Sequence, residues 1–254
     1  MDYQEYGSDH NNFMMFIHGG GVGGWMWDKQ VKYFSNFHCI VPELIDDLDD
    51  DMHFSIEECA TKLLKIIEEK AQGKHVTVIG FSLGAQIIVK MLSLNAQLID
   101  NAIINSALVI PSPITNKLMG PFITLSFPLI KNKSFAKLQA KTLYINQDYF
   151  HQYYQDSLKM KVETLTNILR ENMSFAIPEN FSQASCEILV TVGEKEKGIM
   201  RKSARLLVNR NPNCKGVVLS NVGHGVSFAN PTFFNHCVEN WMKEGRLPEG
   251  KIIH

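Results

Sequence analysis

The feature that most constrains this chain is one continuous stretch, His75 to Leu94. The β-branched run His75–Ile79 (HVTVI) reads as a strand buried on both faces, and Gly80-Phe81-Ser82-Leu83-Gly84 follows it directly. Leu83–Leu94 then reads as a helix that is apolar over most of its surface and therefore buried. A strand covered on both faces, turning sharply into a buried helix, belongs to a sheet with helices on each side.

The rest of the chain repeats that rhythm. Phe13–Ile17, Cys39–Val41, Ala102–Ile104, Cys186–Val192 and Gly216–Leu219 read as further strands, the second of them stopped by Pro42. Helices are expected over Trp25–Phe34, Arg201–Asn209 and Thr232–Lys243, and another opens at the capping box Ser55-Ile56-Glu57-Glu58 and runs through Ala71. Between Pro111 and about Gln183 the alternation stops. Prolines, many aromatics and helical patterning without strands mark a helical insertion. The expected fold class is α/β with a mostly parallel central sheet, residues 1–110 and 184–254 forming the core and 111–183 the insertion.

Composition narrows the class. Of the 254 residues 45% are hydrophobic and 20% charged, which excludes disordered and fibrous chains. The net charge of −1 offers no overall basic balance for nucleic acid or an anionic membrane. Five scattered cysteines (Cys39, Cys59, Cys186, Cys214 and Cys237) include no CxxC pair, which argues against a zinc ribbon or disulfide framework. The polar N-terminus shows no secretory signal, so the cytoplasm is the expected location. Met119–Ile130, interrupted by Pro121 and Pro128, is too short to span a bilayer. Asp47, Asp49, Asp51 and Glu58 match the acid positions of a calcium loop, but Met52 stands where that loop needs glycine and the capping box accounts for Glu58.

Three glycine-flanked places could carry chemistry. In Gly80–Gly84, the two glycines let Ser82 project from a strained strand-to-helix turn with a helix N-terminus beneath it; the plain alternative is a capping serine in an ordinary turn. His18-Gly19-Gly20-Gly21-Val22-Gly23-Gly24 reads two ways. As G-x-G-x-x-G over Gly19, Gly21 and Gly24, with Glu43 after the next strand, it would bind a dinucleotide, although Trp25 and Trp27 crowd the first helical turn. As a glycine loop after a strand, it brings the Gly20 N–H to an oxyanion beside the N–H of Leu83. Gly223-His224-Gly225 follows the Gly216–Leu219 strand, where a general base could reach Ser82. Seven other histidines (His10, His38, His53, His75, His151, His236 and His254) lack such a setting, and His18 reads as structural. An acid must orient the base. Glu196 follows the Cys186–Val192 strand, and Glu194 is its neighbour, each with a reading as a solvated loop charge.

Taken together, the His18-Gly19 loop, the Gly80–Gly84 turn, Glu196 and Gly223-His224 resemble the α/β-hydrolase superfamily, in particular its small esterase-type members. The likeness extends over essentially the whole chain, with 111–183 in the place of that family's cap, inserted after the sixth strand. It implies Ser82 as nucleophile, His224 as base, Glu196 as orienting acid, and Gly20 and Leu83 N–H groups as the oxyanion hole, with no cofactor and no metal. Two positions depart from the family's pattern: glutamate replaces the usual aspartate at Glu196, and Glu43-Leu44-Ile45-Asp46-Asp47 replaces Asp-Leu-Pro-Gly-His-Gly. Ser82 excludes the epoxide and haloalkane hydrolases, which use aspartate there, and the dienelactone type, which uses cysteine.

The expected activity is hydrolysis of a small-molecule carboxylic ester of a small or medium apolar acid through an acyl-enzyme. A ligand-binding protein on the same scaffold, or a lyase using the same triad, would share these residues. An NAD(P)-dependent oxidoreductase built on the Gly19–Gly24 loop is a further alternative, but the Tyr-x-x-x-Lys of short-chain reductases does not occur.

Overall fold

A computed structural model describes residues 1–45, 54–112, 120, 123 and 125–254. The strands are β1 (Tyr3–Tyr6), β2 (Asn12–Ile17), β3 (His38–Pro42), β4 (His75–Phe81), β5 (Asn101–Asn105), β6 (Glu187–Gly193), β7 (Cys214–Leu219) and β8 (Lys251–Ile253). They form one sheet in the order β1-β3-β2-β4-β5-β6-β7-β8. All pairings from β3 across to β7 are parallel, while the edge strands β1 and β8 run antiparallel to β3 and β7.

Helices cover both faces: α1 (Asp28–Tyr33), α2 (Ile56–Lys70), α3 (Leu83–Asn95), α7 (Gly198–Arg210), α8 (Val226–Ala229) and α9 (Pro231–Glu244). The two-residue period of a strand divides β2 between them. Phe13, Met15 and Ile17 pack with the buried residues of α2 and α3, and Met14 and Phe16 pack with Trp27, Phe234 and Trp241 on the opposite face. Central strands apolar on both sides are what a parallel sheet requires.

The boundaries depart from the expected ones in small ways. The helix expected over Trp25–Phe34 starts as a 3-10 turn, Gly24–Trp27, before α1. β3 includes Pro42, whose missing N–H is needed on neither side: pairing to β2 stops at Ile40, and in the β1 ladder Pro42 stands opposite Tyr3 next to the hydrogen-bonded position where the Glu43 N–H donates to the Asp2 carbonyl at 2.9 Å. Ser55 caps α2 by accepting the Glu58 N–H at 3.3 Å. Asp47, Asp49 and Asp51 of the calcium-loop match lie outside the described residues.

Between β5 and β6 lie helical residues 125–130 and α4 (Lys133–Thr142), α5 (Gln147–Lys159) and α6 (Val162–Ser174). Counted among the described residues, this stretch follows the fifth strand rather than a sixth, and it contains no strand. No described helix is long and apolar enough to cross a membrane.

The chain leaves β2 for β3 on one side and, after α2, returns to β4 on the other. In such sheets a crevice opens at the carboxyl ends of the strands where the winding reverses. The loops after β2 and β4 meet there.

Candidate active site

Ser82 stands between the end of β4 and the start of α3 with φ +54° and ψ −110°. For a residue with a side chain this conformation costs on the order of 1–3 kcal/mol, so the surroundings must hold it. The Ser82 N–H donates to the Asn105 carbonyl on β5 at 2.9 Å, and the Ser82 carbonyl accepts the Gln86 N–H at 3.1 Å. The flanking glycines permit the close approach. A Cβ on Gly80 would stand 2.5 Å from the Gly84 carbonyl oxygen, and one on Gly84 would stand 2.3 Å from that of Ile17.

The loop after β2 lies over this turn. A Cβ on Gly20 would come 3.6 Å from Leu83 Cδ2 and 3.5 Å from Ile168 Cγ2, so the loop and the first residue of α3 are in contact. His18 ties the loop down from within. Its Nε2 accepts the Leu44 N–H at 3.0 Å, which leaves the ring proton on Nδ1, 2.8 Å from the Gly19 carbonyl. Burial pulls the His18 pKa down to about 4, and the neutral ring therefore makes no ion pair with Glu43, whose carboxylate lies 3.6 Å from Nε2. Both Glu43 oxygens accept the Gly24 N–H at 3.1 Å. The acid that a dinucleotide loop would offer to a ribose hydroxyl is thus engaged by the loop itself.

A pH dependence follows from His18. An unfolded imidazole titrates near ~6.5 and the folded one near about 4, so between those values the unfolded chain binds the proton and the folded chain does not. The contribution is complete above about pH 6.5 and is lost as pH falls toward 4. Urea unfolding should show about 2 kcal/mol less stability at pH 5 than at pH 7 from this group. In His18→Gln, which keeps an acceptor for Leu44, the loss should be correspondingly smaller. An unchanged pH slope in that variant would assign the effect elsewhere.

On the far side of β4, the β7–α8 loop carries His224. Its Nδ1 lies 2.8 Å from Glu196 Oε2, and because a carboxylate only accepts, Nδ1 carries a proton toward it. Gly225 takes φ +117°, and the Gly223 N–H donates to the Tyr144 hydroxyl at 3.0 Å. The Phe81 ring, from the residue before Ser82, lies 4.7 Å from the imidazole, centroid to centroid.

Glu196 is buried. Its other oxygen, Oε1, accepts the Gly193 N–H and the Ser106 hydroxyl, each at 2.7 Å. Burial alone would raise its pKa, but His224, Gly193 and Ser106 together hold the carboxyl below its ordinary value. Glu194 is exposed and turned away, with Oε2 accepting the Asn221 N–H at 2.9 Å.

Ser106 is the site residue that the sequence reading missed. It follows β5 with φ +59°, and its N–H donates to the Thr191 carbonyl on β6 at 2.8 Å. No local pattern marks it, because its partner Glu196 is distant in the chain. The only available signal was its position directly after a strand that neighbours β4.

Ser82, Leu83 and Gly20 line one cavity of about 840 Å³, together with His18, Trp25 and side chains of α5 and α6 such as Tyr153, Asp156 and Ile168. Among the described aromatics of the insertion, few contribute to it. Tyr153 lines it, while Tyr149 stacks behind Trp25 at 5.6 Å. Gln139, Gln152 and Asn172 add polar groups, so the wall is mixed rather than uniformly apolar. Glu196 and His224 form one pair, and Ser82, Leu83 and Gly20 form one group. The Ser82 hydroxyl makes no hydrogen bond among the described residues. No group of three or more His, Cys, Asp or Glu side chains is arranged to hold a metal among the described residues.

Solved structures share the fold. MenH from S. aureus superposes with a TM-score of 0.77 at 18% identity, over 96% of this chain and 97% of that one. A thermophilic esterase from Thermogutta terrifontis also gives 0.77, at 15% identity over 96% and 93%. A bromoperoxidase from Bacillus anthracis gives 0.79 at 14% identity, over 95% of each chain. No curated protein matches the sequence significantly. The model of the alpha/beta hydrolase family matches residues 14–236. The chain therefore belongs to the alpha/beta hydrolase family.

Proposed function

We propose that the chain is a serine hydrolase that cleaves a carboxylic ester of a small or medium apolar acid without a cofactor. Ser82 Oγ attacks the ester carbonyl while His224 Nε2 takes its proton. The Gly20 and Leu83 N–H groups hold the resulting oxyanion. Collapse of the tetrahedral intermediate breaks the bond to the alcohol, which leaves with the proton from His224, and an acyl group remains on Ser82. Water then attacks this acyl-enzyme with His224 again as base, releasing the acid and regenerating the serine. Glu196 keeps His224 in the productive tautomer, and Ser106 is a positioning residue for Glu196. Residues 111–183 act as a cap over the site.

The observation that carries this reading is the buried Glu196 carboxylate, fixed by Gly193 and Ser106 on one oxygen and presenting the other to His224. A solvated loop acid would have no need of that set of donors. The apolar Leu83 and Ile168 side chains lie beside Gly20 in the cavity, which favours an apolar acyl group at the reacting carbon.

Turnover of p-nitrophenyl esters of increasing acyl length tests the proposal. A burst of p-nitrophenol followed by steady turnover, highest for short to medium acyl chains, is the expected result. Saturable binding without product would replace hydrolysis with a ligand-binding role.

A further inference from the structure

Helical residues 125–130 and α4 carry a surface that the proposed chemistry does not use. The three most exposed large apolar side chains among the described residues are Leu125 at 83%, Leu138 at 62% and Leu129 at 51%, and all belong to this segment. Leu125 and Leu129 are four residues apart and so share one helix face. On α4, Ala136 and Ala140 are buried, while Lys133, Lys137 and Lys141 form an exposed stripe at successive turns beside Leu138. Lys131 Nζ lies 5.3 Å over the Phe127 ring.

The local charge is one-sided. From residue 101 to 147 the sequence contains five lysines and neither Asp nor Glu, although the whole chain carries −1. Among the described residues none of Lys131, Lys133, Lys137 and Lys141 forms an ion pair.

Exposed leucines among lysines that pair with no described acid call for a partner that is both anionic and hydrocarbon. A second copy of the chain is disfavoured, because a two-fold interface sets the same patch against itself and lysine against lysine. A purely polar polyanion would leave the leucines in water. We propose that this face docks on an anionic lipid bilayer. Leu125, Leu129 and Leu138 enter the boundary between headgroups and acyl chains, and the four lysines meet the headgroup anions. Ile130, Gln139, Thr142 and Leu143 of the same segment line the cavity, so docking brings the cavity wall to the membrane surface.

Co-sedimentation of the full chain with vesicles of phosphatidylcholine, alone or mixed with phosphatidylglycerol, tests this. Binding is expected with the anionic vesicles only, and should weaken in high salt as the charges are screened. Each lysine near such a surface contributes roughly fivefold to partitioning, so Lys133→Gln/Lys137→Gln/Lys141→Gln should lower it on the order of 100-fold. Leu125→Ser/Leu129→Ser should lower binding at unchanged charge; circular dichroism verifies that both variants fold. Equal partitioning onto neutral and anionic vesicles, no binding to either, or binding that survives the lysine variant would overturn the proposal. So would a dimer in light scattering that the leucine variant dissociates, since that assigns the face to self-association.

Discussion

Ser82→Ala should lower kcat for ester hydrolysis by at least ~10⁴-fold while leaving the fold intact. The size follows from the role: without Oγ no acyl-enzyme forms, and only the oxyanion donors and the bound geometry remain to assist water. Stability should not fall with activity. Ser82 is held at φ +54° by backbone hydrogen bonds to Asn105 and Gln86, and alanine retains both. Denaturant unfolding, run alongside single-turnover kinetics, separates the two effects. Substantial turnover in a folded Ser82→Ala protein would mean that the nucleophile lies elsewhere.

Glu196→Gln should cost 10³–10⁴-fold in kcat, on the order seen when a triad acid is made neutral in place. The local hydrogen bonds dictate how the amide must turn. Oε1 accepts both the Gly193 N–H and the Ser106 hydroxyl, so the carbonyl of the new glutamine takes that position. Its NH₂ then faces His224 Nδ1, which becomes an acceptor. The ring proton moves to Nε2, where it blocks deprotonation of Ser82. Glu194→Gln should change kcat by less than about threefold, because that side chain accepts only the Asn221 N–H at the surface. Steady-state kinetics of the two variants decide the matter, and the reverse order would reassign the acid to Glu194.

The linkage of Glu196 to stability has a definite sign. Its folded pKa lies below the ordinary carboxyl value, so its contribution is present above that value and disappears as pH falls through the folded pKa. His18 loses its contribution higher on the pH scale, between about 6.5 and 4, and the two groups therefore weaken the fold in succession on acidification.

The parts of this architecture that were legible in the sequence are those whose local chemistry suffices. β2, β4 and β6 are apolar runs buried on both faces, and each ends where glycine permits a turn, so period and composition identify them without knowledge of the fold. β1 and β8 are different. Tyr3–Tyr6 is polar and Lys251–Ile253 is three residues long, and each exists as a strand because a neighbouring edge pairs with it, Tyr3 with Pro42 and Lys251 with Val218. Such strands draw their order from the partner rather than from their own pattern.

The same division runs through the site. Gly80–Gly84 and Gly223–Gly225 stand out because glycine is required by close approach in the first and by φ +117° at Gly225 in the second. Glu194 and Glu196 differ by two positions in one short loop, and only the fold separates them. The Glu196 N–H bonds back to the Gly193 carbonyl, the chain curls inward, and one acid is buried while the other remains in water. Ser106 carries no motif at all, since its function resides in a contact across two strand ends. The charge asymmetry of the insertion was present in the sequence, but the net charge of −1 concealed it.

The central claim is that Ser82 is an activated nucleophile, and intact mass after incubation with a fluorophosphonate, followed by peptide mapping, tests it most directly. The reagent requires no knowledge of the substrate. A single stoichiometric adduct on Ser82, absent in a folded His224→Ala variant, is the predicted result. No adduct on the folded protein, or an adduct on another residue, would contradict it.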